Sequence, residues 1–165
     1  MVREKISSNF QGLEEDKAIY TYDDAIERHK LALVNAIVKK GRASEKAYIC
    51  LKMAWLYRGK AENLDAESPN YEEELNSCQT EEQECLKNAF EGFQQGMASE
   101  AFPMCGMDET TVDYLVAVLA LRNDKLEIAS KLISNIILSR TANKRMKEKA
   151  HDLKDEILAK MHEAK

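Results

Sequence analysis

The constraint that bears hardest on this chain is how little punctuation it contains. Two prolines and six glycines are all that interrupt 165 residues. Strands in a small domain are short, and the turns that join them consume proline, glycine and asparagine pairs. No alternating Val, Ile or Thr runs bounded by such pairs occur. Apolar residues instead recur at steps of three, four and seven, the spacing of one helix face. The pattern predicts an all-α chain, and the length suits a single domain, residues 1–165, with a real core.

About six helices can be placed. The first runs from about Tyr22 to Lys39, with Thr21 as N-cap and Gly41 past its end. The second covers Ser44 to Asn63 with Ser44 as its cap, and NLDAESPN follows as a polar connection. Ser68-Pro69 then reads as a cap followed by proline at the first helical position. The third helix, Pro69 to Ala101, carries Tyr71, Leu75, Cys78, Cys85, Ala89, Phe93 and Met97 on one face. Thr80 to Gln83 has capping-box form, so a break near Thr80 is an alternative. Beyond the loop AFPMCGMD come helices at Glu109–Arg122, Lys125–Ser139 and Asn143–Met161. The last, taken as a capping helix over 143–162, has one apolar stripe and is otherwise charged, as suits the end of a stack in water. Residues 1–20 read as a flexible N-terminal segment.

Helix pairs invite a search for repeats. The second helix of a tetratricopeptide unit places a small residue, a bulky one four later and a small one three after that. Ala25, His29, Ala32 fit this in part, as do Ala89, Phe93, Gly96 and Ala129, Ile133, Ile136. Cys50, Met53, Ala54 and Tyr57 suit the preceding helix of a unit, as do Ala117 and Ala120. The spacing from Ala25 to Ala89 to Ala129 is 64 and then 40 residues, not a steady ~34. The expected architecture is a short, irregular, tetratricopeptide-like right-handed superhelix of antiparallel helix pairs.

Two segments sharpen this. DDAIERHKLALVNAIVKKGRASEKAYICLKMAWLYR (residues 23–58) resembles the core of a bacterial family of uncharacterised proteins, domain of unknown function family 2225. LRNDKLEIASKLISNIILSRTANKRMKEKAHDLKDEI (residues 121–157) resembles that family's final helix pair and terminal helix. The resemblance implies a helical-repeat fold and carries no activity. It also implies a cysteine-rich, zinc-ribbon-like segment ahead of the helices. This sequence has no CxxC, so it looks like the helical part alone, or a member without the ribbon.

Side chains that could carry chemistry are few. Cys50, Cys78, Cys85 and Cys105 lack zinc-site spacing. Cys78 and Cys85 are seven apart on one helix, ~10 Å along its axis, too far for a disulfide. The first three read as buried thiols and Cys105 as an exposed one with no base beside it. His29 reads as packing, and His151 and His162 as solvated. No HExxH, GxxxxGK[ST], GxSxG or GxGxxG occurs. The acidic runs at Glu72–Glu74 and Glu81–Glu82 read as a solvated face. The expectation is no catalytic residue, no metal and no cofactor.

A net charge of −5 disfavours nucleic-acid binding despite the basic stretch Arg140, Lys144, Arg145, Lys147, Lys149. No apolar run approaches the ~20 residues of a membrane helix, and the start lacks a signal-peptide core, so a cytoplasmic location without membrane contact is expected. What remains is the cluster AWLYR, with the only tryptophan. The repeat register assigns Ala54 and Tyr57 to packing. It points Tyr48, Leu51, Trp55 and Arg58 into a concave groove, joined from the last unit by Tyr114, Val118, Leu121 and Arg122. Such grooves hold peptides. The competing reading buries Trp55 under the N-terminal segment or the long third helix, since Trp is highly buried on average. The sequence therefore predicts a non-enzymatic scaffold for a protein or peptide, or for a second copy of itself. The alternative is an accessory part of an enzyme or nucleic-acid assembly whose chemistry lies elsewhere.

Overall fold

Six α-helices make up most of residues 14–163, the part of the chain that the computed structural model describes, with side chains from Tyr22 onward. They are α1 (Glu14–Val38), α2 (Ala43–Glu62), α3 (Tyr71–Ser99), α4 (Glu109–Arg122), α5 (Leu126–Leu138) and α6 (Lys144–Glu163). No strand occurs among the described residues, and the fold is all-α. Each helix packs on its successor, and α4 also touches α6. That contact order, in consecutive antiparallel hairpins, is compatible with a tetratricopeptide-like stack.

The core follows the repeat register except at its start. Ala89, Phe93, Ala129, Ile133, Ile136, Ala117 and Ala120 are all at most 1% exposed. Cys50, Met53, Ala54 and Tyr57 are buried as expected. The register fails on α1, where Ala32 is exposed and the stripe Ile26, Leu33, Ala36 turns inward instead. Among the described helices α1 packs on α2 alone, so only one narrow stripe is covered. Alanine spacing does not say which stripe that will be.

α2 is the shared wall, with α1 on one side and α3 on the other. Its approach to α3 is set by small residues. A Cβ added at Gly92 would stand 2.8 Å from the Ala47 Cβ and 3.1 Å from the Ala43 carbonyl oxygen. One turn on, the same addition at Gly96 would meet the Ser44 Cβ at 3.2 Å. The helices therefore touch almost backbone to backbone over this stretch. Arg58 Nε, donating to Glu82 Oε1 at 2.6 Å, closes the other end of the pair.

Several helix ends differ from the expectation, each for a physical reason. The chain is already helical from Glu14, so Thr21 lies inside α1 rather than at its start. The expected flexible segment over 1–20 falls mainly on residues 1–13, outside the described residues. Ser44 is not the cap of α2 either. It sits in the first turn, 1% exposed, and donates its hydroxyl to a Glu100 carboxylate oxygen while the other oxygen accepts its N–H at 3.0 Å. A side chain 56 residues away thus satisfies an amide that the start of a helix leaves unpaired. α3 starts at Tyr71, two residues past Pro69, and runs unbroken through Thr80. The starts of α4 and α6 are capped locally. Asp108 Oδ1 accepts from the Thr111 N–H at 2.9 Å, and Asn143 Oδ1 from the Met146 N–H at 2.8 Å.

The loop between α3 and α4 makes a small hairpin that plugs the core. Met104 and Met107 exchange both backbone hydrogen bonds at 2.9 Å around Cys105 and Gly106. Those two residues have φ of 51° and 76°, the positive pair that a tight two-residue turn demands. Met104, 1% exposed, is driven inward by it.

Gly92→Ala isolates the α2–α3 contact. Alanine would gain about 1 kcal/mol of helix propensity, but overpacking costs about 1–3 kcal/mol. Here the obstructing atoms are an alanine Cβ and a carbonyl, which cannot rotate away. The urea midpoint is expected to fall, with the slope unchanged.

Candidate binding groove

A solvent-open groove of about 600 Å³ runs between α4 and α6. From α4 come Tyr114, Val118, Leu121 and Arg122, in steps of four, three and one. From α6 come Leu153, Glu156, Ala159, Lys160 and Glu163, again one helix face. The apolar members form the floor, since Leu121 and Leu153 belong to the core, while Arg122, Glu156, Lys160 and Glu163 are exposed along the rim. Lys160 Nζ donates to Asp124 Oδ1 at 2.9 Å and ties the end of α6 to the α4–α5 turn. Burial, helped by Glu156 and Asp152, pushes the Tyr114 phenol up from its ordinary pKa. It stays protonated and can donate a hydrogen bond at neutral pH. Lys149 Nζ lies 5.8 Å from the Tyr114 ring centroid, within cation–π reach.

The residues nominated for a single groove are divided by the structure. Tyr114, Val118, Leu121 and Arg122 share one wall. Tyr48, Leu51, Trp55 and Arg58 do not line it. Leu51 is core, 3% exposed, which corrects its assignment to an open groove. It sits on the α2 flank that carries Ala47 and Ala54, where packing is tight. Arg58 is held by Glu82 of α3. Tyr48 is half-buried, with Lys52 Nζ 4.5 Å from its ring centroid. Trp55 is 54% exposed, so the long third helix does not bury it, and the other candidate cover, the N-terminal segment, lies mainly outside the described residues.

Two features were missed. The α6 wall of the groove was read only as a charged cap, although Glu156, Lys160 and Glu163 repeat at helical spacing beside the apolar stripe. The exposed side of α1 carries Leu31, Val34, Ile37 and Val38, each more than half exposed. Its signal was the excess of apolar residues over what one stripe of a helix can bury.

Cys50, Cys78 and Cys85 are buried, and burial raises the pKa of each. Burial, with Cys50 beside it, pushes Cys85 up to about 12. Since the thiolate is the reactive form, these three are inert. Cys105 is half-exposed rather than free in solvent, its Sγ donating to the Ser44 carbonyl at 3.5 Å. His29 is turned back on its own helix, Nδ1 lying 2.7 Å from the Ala25 carbonyl. Among the described residues no group of three or more His, Cys, Asp or Glu could hold a metal, and no described helix is long and apolar enough to cross a membrane. Iodoacetamide at pH 8, followed by peptide mass mapping, is expected to label Cys105 in the native protein well before the other three.

One comparison with known proteins bears on the family resemblance of residues 23–58 and 121–157 given above. The sequence model of a family described as uncharacterised proteins conserved in bacteria, DUF2225, matches residues 1–157. No curated protein and no solved structure matches the chain. With all but the last few residues covered, the chain belongs to the DUF2225 family of bacterial proteins.

Proposed function

We propose that this protein is a binding scaffold without catalytic activity of its own, and that the α4–α6 groove receives a peptide segment of a protein partner. The observation that carries this is the groove's lining: an apolar floor of Tyr114, Val118, Leu121 and Leu153 between rims of both charges. An apolar floor supplies affinity by excluding water, while placed charges select and orient the segment. Arg122 on the α4 rim and Glu156, Lys160 and Glu163 on the α6 rim favour a partner segment that is amphipathic and carries both signs. The Tyr114 hydroxyl adds a donor for a backbone carbonyl. Peptide-binding helical stacks work in this way, through a preformed concave wall. The exposed Trp55 and the bare apolar side of α1 are further contact surfaces, suited to a folded partner or a second copy.

The test is selection of peptides from a displayed library on the native protein, followed by affinity measurement with two variants. Ala159→Trp fills the groove from an exposed position. Trp55→Ala removes the indole from α2. Selected peptides are expected to lose at least about tenfold in affinity, or about 1.4 kcal/mol, with Ala159→Trp and to keep it with Trp55→Ala. Peptides that bind Ala159→Trp unchanged would overturn the groove assignment.

A further inference from the structure

A cavity of about 360 Å³ lies where the end of α3, the start of α4 and the end of α5 meet, on a different part of the molecule from the α4–α6 groove. Met97 and Leu132 give it apolar wall, and Glu109, Asp113 and Asn135 give it polar wall. The hydroxyls that reach it are largely engaged. Thr110 donates to Asp108, and Ser139 accepts from the Thr141 and Ala142 amides. None of the described residues lining it is a Lys, Arg or His.

Asp113 is the anomaly. It is 7% exposed, yet no described residue donates a hydrogen bond to it; burial and the neighbouring charge of Glu109 are what act on its carboxyl. No fully enclosed side-chain oxygen or nitrogen among the described residues lacks a partner, so the Asp113 oxygens open onto the cavity. A carboxylate this deep without donor or counter-charge is costly. Burial and Glu109 push its pKa up to about 6, which still leaves it mostly ionised at neutral pH.

We propose that this cavity binds an organic cation, a guanidinium or primary ammonium head set against Asp113 and Glu109 with its aliphatic stem along Met97 and Leu132. The head supplies the hydrogen-bond donors and the charge that Asp113 lacks. Asn135 offers a further acceptor. A bare metal ion suits the place less well, because the donors are two carboxylates without a third ionisable ligand. A volume of about 360 Å³ lies instead in the range of small-molecule pockets.

Proton and cation compete for the same oxygens. The other linings, from α3, α5 and the loop after it, are Met97, Leu132, Asn135, Ser139 and Thr141, none of which is ionisable; Glu109 on α4 faces the cavity beside Asp113, and the dependence is read at Asp113. With a carboxyl near 6, affinity is expected to fall about tenfold from pH 7.5 to pH 5.

The probes are agmatine and, in parallel, the capped peptide acetyl-Gly-Arg-Gly-amide, each titrated into the full chain. Calorimetry gives the affinity, and carbon NMR of the carboxyls follows Asp113 as pH is varied. Saturable binding at one site is expected, with the Asp113 titration moved to lower pH. Tighter binding of agmatine marks a free amine as the occupant; tighter binding of the peptide marks an arginine of a partner. Asp113→Asn, which removes a buried charge and keeps the shape, is expected to lower affinity at least tenfold while melting at or above the native temperature at pH 7. Glu109→Gln is expected to weaken binding less. The proposal is overturned if neither probe moves the Asp113 titration, or if Asp113→Asn binds as the native chain does.

Discussion

The close crossing of α2 and α3 is the contact on which the rest of the structure depends. Gly92 and Gly96 present bare backbone to Ala43, Ala47 and Ser44, and this lets two long helices approach nearer than ordinary side chains allow. Once they are that close, Glu100, just past the end of α3, falls beside Ser44 and completes the start of α2. The hairpin at Met104–Met107 is then delivered against the same end, and Met104 fills the space under it. A local property of five small residues thereby fixes where α4 must begin. The two halves of the chain are joined there and, at the far end of α4, by Asn123 Nδ2 donating to the Leu86 carbonyl at 3.4 Å.

A stack built on nearest-neighbour contacts leaves its outer sides to solvent. α2, covered on two sides, still shows Trp55. α1, covered on one, shows Leu31, Val34, Ile37 and Val38. α4 and α6 meet along only part of their length, and the groove lies between them. The groove and the exposed apolar sides are in this sense by-products of an incomplete stack. The buried, protonated thiols belong to the interior that supports those surfaces, and the half-buried His29 is turned back on its own helix.

Much of this was legible in the sequence. The scarcity of Pro and Gly gave the all-α class, and the bounds of α4 followed from the loop AFPMCGMD ahead of an apolar run. The registers at Phe93 and Ile133 held because both helices are packed on more than one side, so small–bulky–small spacing selects a unique face. The register at His29 failed because α1 has only one described neighbour, and its sequence offers more apolar residues than that neighbour can cover. Ser44 looked like a cap because capping rules are local, whereas its true partner, Glu100, is brought in by tertiary folding. Trp55 could not be decided from residue type at all: whether an indole is buried depends on which helix lies opposite. The α4 wall of the groove could be read from the repeat register. The α6 wall could not, because charge on a terminal helix looks the same whether it borders a groove or open water.

The central claim, that the stack is organised around the α2–α3 crossing with α1 attached to it from one side, is most directly tested by native-state hydrogen exchange across a series of low denaturant concentrations. Amides around Ala47–Leu51 and Ala89–Phe93 should exchange only through global unfolding. Those near the end of α1, around Val34–Val38, should exchange through a local opening of lower free energy. Protection in α1 equal to or greater than that of the α2–α3 crossing would contradict this account.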